Sequence, residues 1–414
     1  MEPSRVTLEE AQELLKSCMP GIKKEEKPAA DCLGQILAEP VCAAVTQPPF
    51  PRSAMDGFAL RSRDVRGADA EHPITLEVTG CVYAGQETKL ILGPYQTVQI
   101  MTGAMIPEGA DCVVKQEDTD YIGQNNPRCK ADAASDIKSV QIYHNAGSGE
   151  NYCPQGEDFL TGDLLAEAGA PVDAYLLAAV TAAGVRMLTV YKRLKAAVIT
   201  TGDELQQTDR PLEPGKIYDA NGIWLCARLK EMGCDVVRYQ TAGDDKEKIA
   251  AEIRTAWKDV DLILTTGGVS VGEKDLLPDV IESLNGKVLF HGIRVKPGMP
   301  TMLSVVNGIP VLSLSGNPFA VAALFELLVG EYLAERIESG YTRKKQMKIL
   351  KQTFVKTGKL KRIVKGRCGE DGVFLPQIQR NGQLKNGIGS NCLVIFPEGE
   401  RTYPEGEEVQ VIWI

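Results

Sequence analysis

The stretch Asp261–Asp275, DLILTTGGVSVGEKD, decides the fold. Its opening, Asp261–Thr265, is a short apolar run that passes straight into a polar, glycine-bearing turn, which is the mark of a strand buried on both faces. Upstream, Lys195–Thr200 (KAAVIT) and Asp235–Gln240 have the same strand character. Between them lie two helical patterns, Asn221–Met232 closed by Gly233 and the charged-faced Asp245–Lys258. Strands alternating with helices of this length predict βαβ units and a parallel sheet covered on two sides. Ligands of such sheets bind beyond the carboxyl ends of the strands. Those ends read TTGDEL, TAGDD and TTGGVSVGEKD, each rich in Thr, Gly and acidic residues.

Working outward, an apolar helix from about Pro318 to Ile337 closes this region. Residues 345–414 return to short alternating strands (LVIFPEGE, EEVQVIWI) and predict a small β domain. Residues 1–190 alternate β-like runs with Gly/Pro turns, then reach a helical PVDAYLLAAVTAAG with Gly184 as its stop. The first residues, MEPSRVTLEEAQELLKS, read as an amphipathic helix without the apolar core of a signal peptide.

A chain of 414 residues exceeds the size at which one core keeps growing, so several domains are expected. The net charge of -9 argues against general nucleic-acid or anionic-membrane binding, which needs a basic surface. No apolar run approaches the roughly 20 residues that span a bilayer. The 11 cysteines are odd in number and form no Cys-x-x-Cys pair, which predicts reduced thiols in a cytoplasmic protein. With only 3 histidines, a His-rich metal site is not expected.

The chemistry gathers at the strand ends. In TTGGVSVGEKD the backbone around Thr266, Gly267, Gly268 and Ser270 approaches a ligand closely and cups an anion, while Asp275 offers a cation ligand. No Gly-Lys-Ser/Thr follows, so this is not an ATPase phosphate loop. Gly202, Asp203 and Glu204 follow another strand; such carboxylates suit Mg²⁺, which takes one or two of them plus phosphate oxygens and water. Asp244 and Asp245 share that edge. GIRVKPGMPTML sets Arg294 and Lys296 in a proline-stiffened loop with Gly298, a geometry fit for an oxyanion. LSLSGNPFAVAALF puts Ser315, Gly316 and Asn317 before a helix with Pro318 in its first turn, where Asn317 reads as a cap and free N–H groups attract an anion. In the first half, PPFPRSAMDGFAL carries Asp56, MTGAMIPEGADCVVKQED carries Thr102, and GEDFLTGD carries Glu157 and Asp158. Taken singly, each segment also reads as an ordinary turn, a solvated acidic pair or a helix cap.

Taken together and in order, PPFPRSAMDGFAL, TGAMIPEGADCVVKQED, GEDF, TTGDEL, IYDANG, TTGGVSVGEKD, VKPGMP and SGNP resemble the MoeA family of molybdopterin molybdenumtransferases. That family is related to the E domains of gephyrin and of its plant counterpart. The matching segments span roughly residues 48 to 320, and the last 70 or so match more loosely. The resemblance implies an elongated α/β-plus-β multidomain protein, forming a homodimer with sites between subunits. Its parts would be a linker domain (21–46 and 160–184), an inserted β-rich domain (47–159), a MogA-like parallel α/β domain (1–20 and 185–344) and a C-terminal β-barrel-like domain (345–414).

The implied reaction joins molybdate to adenylated molybdopterin, giving molybdenum cofactor and AMP, with Mg²⁺ as metal. Implied catalytic residues are Asp56, Asp158, Glu204, Asp275 and Lys296, with Asp203, Glu204 and Asp275 on the metal. Thr102, Gly202, Asp244, Thr266, Gly267, Gly268, Ser270, Gly298, Ser315, Gly316, Asn317, Pro318 and Arg362 would hold the substrates. Implied protein partners are a MogA-like adenylyltransferase and recipient molybdoenzymes.

The chain departs from the family pattern at four places. Met299 replaces the second lysine of Lys-Pro-Gly-Lys-Pro, and Ser315 stands first in the usual Pro-Gly-Asn-Pro. Tyr152, Cys153, Pro154 and Gln155 replace the arginines before GED, and only Ser390 remains of a serine-rich loop. The sequence therefore leaves open two other readings, a nucleotide or pterin pyrophosphatase and a non-catalytic scaffold.

Overall fold

The computed structural model describes residues 5–121, 138–269, 276–336, 344–376 and 382–414. Helix α1 (Leu8–Cys18) starts at Thr7, whose hydroxyl accepts the Glu10 amide at 3.2 Å while the Glu10 carboxylate accepts the Thr7 amide at 2.7 Å. This reciprocal cap satisfies two donors that the first turn leaves without partners. The helix buries Leu8, Ala11 and Leu15 in the same apolar cluster as Val198, Leu225, Leu264 and Leu324.

Strand β1 (Lys24–Pro28) pairs antiparallel with β7 (Met187–Tyr191). Between these two the chain builds a five-stranded sheet from β2 (Gly57–Leu60), β3 (Ile74–Val82), β4 (Gln96–Ile100), β5 (Cys112–Lys115) and β6 (Ser139–Ile142). Its order is β5-β2-β4-β3-β6. Helix α2 (Ala174–Ala182) then begins at Asp173, whose carboxylate accepts the Leu176 amide. It stops before Gly184, at φ +73°.

The central unit follows as β8 (Lys195–Thr201), α3 (Ala220–Glu231), β9 (Asp235–Ala242), α4 (Lys246–Ala256), β10 (Leu262–Thr266) and α5 (Leu277–Ser283). It continues through β11 (Lys287–His291), β12 (Val295–Lys296), β13 (Met302–Val306), β14 (Ile309–Leu314) and α6 (Pro318–Phe325). The sheet order is β9-β8-β10-β14-β13-β11. Leu262 and Leu264 face one apolar cluster and Ile263 the other, all fully buried. Each such side chain contributes about 2 kcal/mol of burial, which is why this run holds the middle of the sheet.

Three features differ from the sequence reading. The four strands β9, β8, β10 and β14 are parallel as expected, but β13 pairs antiparallel with β14, and β11 antiparallel with β13. The reversal is made by Asn307 and Gly308, both at positive φ (51° and 80°), in a two-residue hairpin turn that matches strand twist. The apolar helix after Pro318 is also not uniform. Residues Glu326–Gly330 form a π-helical turn before the last helix, α7 (Glu331–Arg336), and buried Glu326 there accepts from Arg228 at 2.7 Å. Asn317 occupies the cap position of α6, yet its side chain makes no capping bond; the Ser315 hydroxyl instead accepts the Asn317 amide at 3.3 Å.

The C-terminal strands β15 (Lys345–Ile349), β16 (Lys361–Gly369), β17 (Cys392–Phe396) and β18 (Glu408–Trp413) form a sheet that takes in β12, in the order β12-β16-β17-β18-β15. Ile363, Leu393 and Ile412 join the core of the central unit, whereas Val364, Val394 and Phe396 build a separate one. The last sheet is therefore fastened to the α/β unit by both hydrogen bonds and apolar burial.

Candidate functional site

Because β8, β9, β10 and β14 run parallel, the loops after them lie along one edge. The β8 loop carries Gly202, Asp203 and Glu204. The Asp203 carboxylate accepts the amide of Asp244, in the β9 loop, at 3.0 Å, and the Lys216 ammonium donates to the Asp203 carbonyl at 2.5 Å. Glu204 folds back over Gly202, at φ +146°, where a Cβ would meet its carboxylate at 2.6 Å. The positive φ, which side-chain-bearing residues rarely adopt, favours glycine there.

The Thr201 hydroxyl donates to the Thr266 carbonyl at 3.2 Å, joining the ends of β8 and β10. A Cβ on Gly267 would lie 2.4 Å from the Thr201 carbonyl oxygen, and one on Gly316 would lie 3.8 Å from the Gly267 Cα. The backbones of these three loops thus meet, with Gly267 and Gly268 both at positive φ. Ser270 and Asp275 lie outside the described residues.

Beside this edge a cavity of about 460 Å³ opens between α3, the start of α6 and the C-terminal sheet; its lining includes Asn221, Trp224, Pro318, Phe319, Lys365 and Ser390. Lys365 is only 7% exposed. Its ammonium donates to the Gln383 carbonyl at 3.0 Å and stands 4.8 Å from the centre of the Phe319 ring. Burial pushes its pKa below the usual lysine range, because an ammonium withdrawn from water is disfavoured. Lys365 thus brings a buried cation, its charge already oriented, to a roomy and partly aromatic cavity.

Lys296 and Arg362 face each other across the β12–β16 pairing, and burial also lowers the Arg362 pKa. Gly298, at φ +96°, packs against α6, where a Cβ would meet Leu324 at 2.3 Å. It shapes the loop between Lys296 and the helix. Lys365 escaped the sequence reading, although a signal was there. It shares strand parity with buried Ile363, as Lys361 does, so KLKRIVKGR places lysines on the face of an inward residue.

The first-half residues fall in the other β domain. The exposed Asp56 carboxylate accepts both the hydroxyl (2.6 Å) and the amide (2.7 Å) of Thr102. These two bonds, the hydroxyl first, hold its pKa below the usual carboxylate range against a smaller effect of burial. Asp158 is exposed, and its amide donates to the Gln47 carbonyl at 3.0 Å.

Among the described residues, no group of three or more His, Cys, Asp or Glu side chains is arranged to hold a metal ion. The exposed carboxylates of Asp203 and Glu204 remain a hard oxygen donor pair, which suits Mg²⁺ completed by substrate phosphates and water. No described helix is long and apolar enough to cross a membrane.

A doubly covered α/β unit with a glycine-lined loop edge, flanked by two β units, defines a multidomain α/β protein. Residues 6–184 match the family model of the MoeA N-terminal region (domain I and II), and residues 197–335 match that of a probable molybdopterin binding domain. The chain is 33% identical to the molybdopterin molybdenumtransferase of Bacillus subtilis (strain 168), over 93% of its own length and 88% of that protein's. A molybdopterin molybdenumtransferase from Staphylococcus epidermidis is 32% identical over 92% of this chain and 89% of its own. The molybdopterin biosynthesis MoeA protein of Pyrococcus horikoshii superposes with a TM-score of 0.75 at 32% identity, covering 99% of both chains. The chain belongs to the MoeA family of molybdopterin molybdenumtransferases, a family of molybdenum cofactor biosynthesis.

Proposed function

We propose that this chain transfers molybdenum, joining molybdate to adenylated molybdopterin to give molybdenum cofactor and AMP. The observation that carries the reading is the junction of a glycine-lined loop edge, where Thr201, Gly267 and Gly316 meet, with a cavity holding the buried cation Lys365. The edge suits a phosphate-bearing pterin, since close backbone approach and N–H groups favour phosphate oxygens. The cavity suits molybdate, with Lys365 supplying charge and Ser390 and the Ser315–Asn317 loop supplying donors.

In this reading Gly202, Thr266, Gly267 and Gly268 bind the pterin-nucleotide, with Asp244 holding the neighbouring loop. Ser270 and Asp275, outside the described residues, are assigned to that side by the resemblance. Asp203, Glu204 and Asp275 would hold Mg²⁺, which when bound neutralises the phosphates and polarises the phosphoanhydride. Lys296, Gly298 and Arg362 belong to the molybdate side with Ser315, Gly316, Asn317 and Pro318. Asp56, braced by Thr102, and Asp158 act across a subunit boundary in a homodimer, because each is exposed on a domain apart from the sheet edge.

The test mixes purified protein with adenylated molybdopterin, Mg²⁺ and molybdate. Molybdate-dependent AMP release is expected. Release independent of molybdate would indicate a pyrophosphatase, and intact binding without release would indicate a scaffold.

A further inference from the structure

The segment IYDANG, residues 217–222, opens α3 and holds two side chains to which the site above gives no positioning role. Asp219 is 4% exposed, and its carboxylate accepts the Gly222 amide at 2.9 Å, as a helix cap requires. It does more than cap. It also accepts the Thr200 hydroxyl at 2.6 Å and the Tyr239 hydroxyl at 2.6 Å, with the Thr241 hydroxyl at 3.5 Å. A buried carboxylate met by hydroxyl and amide donors is costly unless those donors are held in place, so the network is rigid where it is satisfied. Burial first, then the bond to Asp219, raises the Tyr239 pKa to about 12, so that hydroxyl stays a donor at neutral pH.

The partners are the strand ends themselves. Thr200 stands two residues before Gly202, and Tyr239 and Thr241 lie on β9 just before Gly243–Asp245. Gln207, three residues beyond Glu204, donates to Thr241 at 2.6 Å and to Tyr239 at 3.1 Å. One end of the Gly202–Glu204 loop is thereby bonded to the carboxylate through Thr200, and the other reaches it through Gln207 and the hydroxyls of Tyr239 and Thr241. Two residues along the same helical turn, the Asn221 side-chain Nδ2 donates to the Gly316 carbonyl at 2.7 Å, holding the Ser315–Asn317 loop.

We propose that Asp219 and Asn221 are positioning residues, one for the acidic loops and one for the anion loop. The first turn of α3 sets the spacing between the two substrate sides. This rests on the reading of the sheet edge as the substrate site. The experiment compares Asp219→Asn and Asn221→Ala with the unaltered protein in two ways. Amide hydrogen exchange without substrate is expected to quicken about tenfold in residues 313–318 for Asn221→Ala, and in residues 200–207 for Asp219→Asn.

In molybdate-dependent AMP release, Asn221→Ala raises the molybdate KM about tenfold with kcat within about twofold. Asp219→Asn lowers kcat about tenfold and leaves the molybdate KM in place. Thr200→Val and Tyr239→Phe each remove one donor and carry the acidic-loop expectation should Asp219→Asn fail to fold. Unchanged exchange in both loops overturns the proposal. So does uniform loss in both variants with a lowered melting midpoint, since that marks a general structural role. If the unaltered protein releases no AMP, the functional reading fails while the exchange arm still decides the clamp.

Discussion

At the residue scale, the proposed molybdate side rests on Lys365, a buried cation lining the cavity. Its folded pKa is lowered by burial, so the folded protein bears the cost of a charged Lys365 below that pKa. The cost disappears as pH rises toward the ordinary value of 10.5. A bound oxyanion reverses this preference by stabilising the ammonium. Molybdate affinity is therefore expected to fall as pH rises through a window below 10.5, as measured by titration calorimetry. Lys365→Arg flattens that fall, since a guanidinium stays charged there. Lys365→Met weakens molybdate binding by about 2 kcal/mol at neutral pH while leaving stability equal or higher. Binding by Lys365→Met that matches the unaltered protein would remove Lys365 from the site. This residue was legible only as a strand position of inward parity; that it enters a cavity depends on Phe319 and Gln383, which come from other parts of the chain.

At the scale of elements, the glycines after β10 are not equivalent. A methyl on Gly267, at φ +88°, meets the Thr201 carbonyl oxygen at 2.4 Å, whereas one on Gly268, at φ +61°, meets the Thr201 hydroxyl at 3.3 Å and the Leu277 side chain at 3.8 Å. Gly267→Ala is expected to destabilise the protein by roughly 2–3 kcal/mol, and Gly268→Ala by about 1 kcal/mol. Chemical denaturation checks the order; equal losses would show that the strand ends do not meet as described. The sequence marked this turn and its strand because buried apolar residues running into Gly-Gly are a local pattern. The antiparallel edge was also written locally, in Asn307-Gly308, a hairpin signal overlooked beside the βαβ alternation.

At the scale of the whole molecule, the braced, exposed Asp56 and the acidic loop at Glu204 sit on different domains, and we read them as meeting between subunits. Mixing two inactive variants tests this directly. Asp56→Asn and Glu204→Gln, each inactive alone, are expected to regain about a quarter of full activity after dissociation and equal mixing. In that mixture half the dimers are heterodimers with one intact site. No recovery, with heterodimers shown by mass spectrometry, would put both residues in the same protomer's site.

The sequence by itself determined the strands and helices of the central unit, the loops that follow them, and the family, because each rests on residues adjacent in the chain. Apolar runs, capping residues and positive-φ glycines act locally, and the family motifs are contiguous. Tertiary structure decided what those motifs do to one another. It put Glu326 against Arg228, Thr102 on Asp56 and Lys365 beside the α6 start, and it turned IYDANG from a helix opening into a clamp on two loops. The reason is physical. A buried charge or a shared carboxylate gains its meaning from donors that the chain brings together only when distant strands pair, and no local pattern encodes that meeting.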